Sequence, residues 1–183
     1  MRHLPNLICL LRFVLIWPIT AALYARENGT ALALFIAAAL SDGLDGYLAK
    51  RFGWASELGK VLDPLADKLL LVTVFVAGAW LGLIPWWLSA AVVARDVLIG
   101  LCALTFRLWF GPLQGRPTLL SKINTGTQLL YVALVILSAA LHRPPGAILA
   151  AWGFLTFATT VLSGLDYILT FTRRAWLLPA RTS

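Results

Sequence analysis

Aspartates are the residues best placed to do chemistry in this chain. Five of its eight acidic residues fall between positions 42 and 67, and four of those five are Asp42, Asp45, Asp63 and Asp67. The first pair is spaced by three and the second by four, so on helices each pair lies along one face. A connection of about ten residues between the pairs is short enough to fold the two helices into antiparallel neighbours and bring all four carboxylates together. Carboxylates that close repel one another, and at low dielectric some would keep their protons unless something offset the charge. Divalent cations are the simplest offset. Oxygen ligands suit magnesium or manganese, and two such ions bridged by shared aspartates would keep positions open for phosphate oxygens. The expected ligand is therefore a pyrophosphate.

Neighbouring residues fit that expectation. Gly46 and Gly59 let backbone approach a bulky phosphate or a facing helix, at a cost a helix otherwise avoids. Lys50, Arg51 and Lys60 stand where they could neutralise phosphate charge from the rim. The plainer alternative is that the aspartates pair with Lys50, Arg51, Lys60 and Lys68 at a solvated membrane edge. For any single residue that alternative is the better one. For four converging carboxylates inside apolar segments it is not, because ionisable groups in such segments tend to be functional.

The elements that carry these residues follow from composition. Of 183 residues, 60% are hydrophobic and 13% charged, with a mean hydropathy of +0.84. That apolar share exceeds the range of soluble domains and points to lipid as the solvent. Apolar stretches near 7–25, 30–48, 65–83, 88–106, 123–141 and 147–170 are each long enough to cross a bilayer as a helix. The fold expected is all-α, a single polytopic membrane domain over 1–183 built as a bundle of six transmembrane helices. A membrane barrel would need strict alternation, which these runs lack. Arg12 inside the first run argues against a cleaved signal sequence and for a polar interior face.

The net charge of +7 does not indicate nucleic acid, because the basic residues lie between spans and at the ends rather than along one soluble face. With both termini in the cytoplasm, Arg2, Lys50, Arg51, Lys60, Arg107, Arg116, Lys122, Arg173, Arg174 and Arg181 collect on that side. Only Arg26 and Arg143 fall opposite, as the positive-inside rule requires. The longest polar connections, Lys50 to Lys60 and Phe110 to Lys122, also face the cytoplasm, where a site for soluble reactants would open. Cys9 and Cys102 read as small buried hydrophobes, and His3 and His142 fall on opposite sides of the membrane. Trp80, Trp86 and Trp87 read as an outer aromatic belt.

Together the acidic segments resemble the signature of the CDP-alcohol phosphatidyltransferase family, D-x2-D-G-x2-A-R-x8-G-x3-D-x3-D. Asp42, Asp45, Gly46, Ala49, Gly59, Asp63 and Asp67 match, and Lys50, followed by Arg51, stands where the family has arginine. A lysine offers a point charge rather than a planar fork, so nucleotide contacts there would differ or pass to Arg51. Pro5-Asn6-Leu7 followed by Arg12 also looks like the family's amino-terminal segment. The resemblance implies six spans and a homodimer; the expected location is the bacterial inner membrane, with the active site facing the cytoplasm as the basic residues indicate. It implies that Asp42, Asp45 and Asp63 bind metal, with Asp67 completing the site and acting as general base. Gly46, Ala49, Lys50, Arg51 and Gly59 would line the pocket for the CDP part of CDP-diacylglycerol.

The acceptor is addressed by the second half of the chain. Arg95-Asp96-Val97 and the segment from Arg116 to Thr125 look more like the cardiolipin synthase branch than like phosphatidylglycerophosphate synthases. Phosphatidylglycerol is thus the favoured acceptor and glycerol 3-phosphate the alternative. Both carry a phosphate, and Arg95, Arg116 and Lys122 are candidates to bind it. Against this stand an ion pair between Arg95 and Asp96, and simple cytoplasmic anchoring for Arg116 and Lys122. Asp166 is a candidate partner for Arg12 or Arg95 across the bundle. A reading from another class is a cation or proton transporter, but one unrepeated carboxylate cluster beside a basic loop fits it poorly.

Overall fold

Turn chemistry divides the apolar sequence into helices. The computed structural model describes the backbone of residues 4–52, 59–110 and 118–177, and the side chains of residues 10–41, 66–105 and 118–170. Within them are six α-helices: α1 Leu4–Tyr24, α2 Asn28–Phe52, α3 Gly59–Trp80, α4 Trp86–Phe110, α5 Leu119–Leu141 and α6 Gly146–Leu177. Between α1 and α2 the chain reverses through Arg26 at φ 61°. Between α3 and α4 it reverses through Gly82 at φ 73°, a backbone conformation that glycine adopts without penalty. There the Gly78 carbonyl accepts from the amides of both Leu83 and Ile84, which satisfies the end of α3. The Thr118 side chain caps α5 by accepting from the Ser121 amide, and His142 closes it in a left-handed conformation with its amide on the Ser138 carbonyl.

The helices run from 21 to 32 residues, which at 1.5 Å per residue spans a hydrocarbon core. Three are long and apolar enough to cross a membrane among the described residues: Trp86–Thr105, Leu119–Leu141 and Gly146–Thr170. The described apolar parts of α1 and α2, Leu10–Tyr24 and Asn28–Ser41, are shorter. The expected number of helices is therefore met, and three of the expected spans are met by length and apolarity. Large apolar side chains point outward along the bundle, among them Leu10, Val14 and Trp17 on α1, Val97, Leu101 and Leu104 on α4, and Phe154, Leu162, Leu165 and Leu169 on α6. Trp17 is 81% exposed. Apolar surface on this scale is incompatible with water as the surrounding solvent and natural against lipid tails.

The interior gathers Ile19 and Leu23 of α1, Phe35 of α2, Leu70, Val74 and Phe75 of α3, Leu88 and Val92 of α4, and Tyr131, Val135 and Ile136 of α5. Phe75 and Tyr131 stack with ring centroids 6.2 Å apart, joining α3 to α5. Helix α1 packs against both α2 and α3, α2 packs against α5, and α4 bridges α3 and α6. The aspartate-bearing ends of α2 and α3, expected from the sequence to meet, lie outside the described side chains apart from Asp67. Among the described contacts, both helices lean on α1 and on α5. The small Ala22, Ala31 and Ala38, all buried, let these backbones approach closely.

Candidate active site

The four aspartates sit on two helices, Asp42 and Asp45 on α2, Asp63 and Asp67 on α3. Asp67 is the one whose side chain is described, and it is half-buried. The side chains of Asp42, Asp45, Asp63, Lys50, Arg51, Ala49, and the positions Gly46 and Gly59 lie outside the described side-chain set, as does Arg116 altogether. Among the described residues no group of three or more His, Cys, Asp or Glu side chains forms. That follows from the same boundary, which takes in one of the four expected ligands.

Five residues further along α3 than Asp63, a charged network begins at Lys68. Lys68 Nζ donates to Asp96 Oδ1 at 2.7 Å, and Arg95 Nη1 donates to the same oxygen at 2.7 Å. Arg95 Nη2 donates to Ser121 Oγ of α5 at 2.9 Å and to Ser163 Oγ of α6. Four helices thus meet on one guanidinium and one carboxylate. The Arg95 and Asp96 side chains are 4% and 7% exposed, whereas that of Lys68 keeps 34%. A guanidinium at such a depth is tolerable only when paired and hydrogen-bonded. Gly164 packs against it without being needed to make room, since a Cβ there would stand 3.6 Å from Arg95 Cγ, in ordinary contact.

Of the two sequence readings of Arg95, the ion pair with Asp96 is present. Asp166, offered as a partner for Arg95, is half-buried on α6 and is replaced in that part by Asp96, the adjacent residue on α4. Lys122 is exposed beside Ser121. Arg12 is 1% exposed, matching the inward-facing charge expected from its place in an apolar run.

A second polar feature was not singled out from the sequence. Asn124 Oδ1 on α5 accepts from Thr159 Oγ1 at 3.0 Å and Thr160 Oγ1 at 2.9 Å on α6. Thr127 and Thr159 join their hydroxyls at 3.0 Å, and Gln128 Nε2 reaches Thr160 Oγ1 at 3.4 Å. With Ser121 and Ser163, these residues make a hydrogen-bonded seam along α5 and α6. Its signal was available: Asn124 and Gln128 are four apart, and Thr156, Thr160 and Ser163 repeat at helical spacing in otherwise apolar helices.

Six helices, lipid-facing apolar surfaces and a buried charged network define a helical membrane protein. Its family is given by sequence: the profile described as CDP-alcohol phosphatidyltransferase matches residues 2–170, and the chain belongs to that family. It is 33% identical over 182 residues to a Drosophila melanogaster protein named probable cardiolipin synthase (CMP-forming), covering 91% of this chain and 56% of the relative. It is 29% identical over 175 residues to a Mycobacterium tuberculosis protein named probable phosphatidylglycerophosphate synthase, covering 91% and 80%. The Homo sapiens cardiolipin synthase (CMP-forming) is 32% identical over 184 residues, covering 90% and 60%. The chain thus spans a little over half the length of the fly relative.

Proposed function

We propose that this protein transfers a phosphatidyl group from CDP-diacylglycerol to the hydroxyl of a glycerol-type acceptor, with release of CMP, in phospholipid biosynthesis. The observation that carries this reading is the family match over residues 2–170, with the acidic signature on α2 and α3 inside it. The same match weighs against the transporter reading.

In the reading proposed, Asp67 takes the proton of the acceptor hydroxyl as general base. The hydroxyl oxygen then attacks the phosphorus on the diacylglycerol side. A new phosphorus–oxygen bond forms, the pyrophosphate bond breaks, and its electron pair leaves with CMP. No covalent enzyme intermediate is needed. Gly46, Ala49, Lys50, Arg51 and Gly59 would receive the CDP part, and Lys50 and Arg51 would offset its phosphate charge. Asp42, Asp45, Asp63 and Asp67 would hold divalent metal, magnesium or manganese and two ions in number. The fit rests on a donor set of carboxylate oxygens with no thiolate or imidazole in the motif. Bound there, the metal would neutralise charge on the pyrophosphate.

Phosphatidylglycerol is the preferred acceptor, on the likeness of residues 95–97 and 116–125 to the cardiolipin synthase branch, with glycerol 3-phosphate as the alternative. Arg95, Arg116 and Lys122 remain the candidates for the acceptor phosphate, Arg95 only if it gives up part of its buried network. The basic-residue asymmetry supports six spans with both termini and the site cytoplasmic, and the membrane proposed is the bacterial inner membrane. A homodimer follows the family resemblance. The test is direct: purified protein is given CDP-diacylglycerol with either acceptor, and the lipid product and CMP are identified. Cation flux in proteoliposomes without CMP release would overturn the proposal.

A further inference from the structure

We propose that Asp96 is a positioning residue, which holds Lys68 beside Asp67 as the contact for the acceptor's phosphate and is itself held by the buried Arg95. The inference rests on the phosphatidyl-transfer reading above and assigns the anion contact to a residue that the sequence did not single out for it.

Two cations share one oxygen of Asp96, so the trio carries one net positive charge. That charge is not equally available from the two cations. Arg95 is sealed at 4% exposure and spends both terminal nitrogens on Asp96, Ser121 and Ser163. Lys68 keeps 34% of its side chain exposed and, among the described residues, makes one contact at 2.7 Å, while its ammonium carries three donors for an arriving oxygen. An anion reaching this network therefore meets the lysine first. The lysine is also next in sequence to the proposed base on the same helix, so whatever fixes Lys68 fixes that turn of α3. The ammonium of a long lysine is mobile by default, and its stem loses rotamer freedom on binding. Asp96, locked from behind by a guanidinium tied to α5 and α6, removes that freedom in advance and lowers the cost of binding.

The donor's phosphates have other candidates in Lys50, Arg51 and Lys60 near the loop between α2 and α3, so the consequence should be confined to the acceptor. The experiment is steady-state kinetics of the full chain in mixed micelles, varying each substrate while the other saturates. Asp96→Asn should raise the acceptor KM by about ten-fold or more, the scale of a lost charge-assisted contact, and leave the CDP-diacylglycerol KM within about two-fold. Asp96→Glu should recover part of the loss. If Asp96→Asn does not fold, Lys68→Gln, at a partly exposed position, should give the same split, and Lys68→Arg a smaller one. An unchanged acceptor KM in these variants, or an equal rise for both substrates, overturns the inference. A wild-type protein that releases no CMP with either acceptor overturns the underlying reading instead.

Discussion

The side-chain oxygen of Asn124 on α5 takes a hydrogen bond of 2.9 Å from the hydroxyl of Thr160 on α6, thirty-six positions further along the chain. It takes another from Thr159, so one amide fastens two threonines of the facing helix. Where lipid replaces water, apolar helix faces gain little from meeting, and directional contacts of this kind become a main source of helix pairing. Asn124→Ala and Thr160→Val, made singly and together, should each lower the unfolding temperature in detergent. Their coupling should be on the order of 0.6 kcal/mol and no more than about 1.7. Strict additivity of the two changes would show that the bond adds nothing to pairing.

Arg95 and Asp96 should behave as a buried pair. Arg95→Met leaves the Asp96 carboxylate with Lys68 alone and strips Ser121 and Ser163 of their donor. The expected cost is about 3–5 kcal/mol, the range for removing one member of such a pair. Adding Asp96→Leu should return part of that stability without returning activity. Equilibrium unfolding of the single and double variants checks this, and a double variant as unstable as the single one would contradict it.

Gly78 and Ile84 give a test of packing where α3 turns into α4. A Cβ at Gly78 would come within 2.8 Å of Ile84 Cδ1 and 3.0 Å of Ile84 Cγ1. Alanine at a helical glycine gains up to about 1 kcal/mol of propensity, but overpacking costs about 1–3 kcal/mol. Gly78→Ala should therefore lower the melting temperature. Ile84→Val, which removes Cδ1, should make the double variant more stable than the sum of the single effects, as thermal unfolding of all three will show.

Asp67 and the proposed metal ions can be probed together. Asp67→Asn should abolish lipid product while leaving nucleotide binding largely intact, as followed by titration with CDP. Chelation of divalent metal should halt CMP release, and added magnesium or manganese should restore it. Full turnover by the Asp67→Asn variant would remove this residue as the base, and full turnover in excess chelator would remove the metal.

Helix positions were legible because apolar runs and breakers are local signals. Glu27-Asn28, Ile84-Pro85 and the prolines at 144 and 145 mark the turns between helices as the sequence implies. The ends were less so: α4 reaches Phe110 and α6 reaches Leu177, each past its apolar stretch, because arginine and aromatic residues at a membrane edge prolong a helix without continuing its hydropathy. The acidic motif was legible from spacing alone. The Lys68, Asp96, Arg95, Ser121 and Ser163 network was not, since it joins residues from four helices and depends on how they pack. Lys68 in particular read as an edge cation, and only its placement against α4 gives it a specific partner. For the same reason α1 was not foreseen as the shared support of α2 and α3.

The hydrogen-bonded seam divides the bundle into parts with different tolerances. α5 and α6 are latched by bonds that need particular atoms at particular angles, so their register resists sliding. Over residues 15–24 α1, by contrast, meets its neighbours through apolar side chains such as Ile19, Ala22 and Leu23, with the buried Arg12 nearer its start. If bilayer thickness or lateral pressure changes, displacement should be easiest along this apolar part of α1, which packs on both acidic helices. Membrane composition would then tune this protein through its first helix while its last two stay fixed.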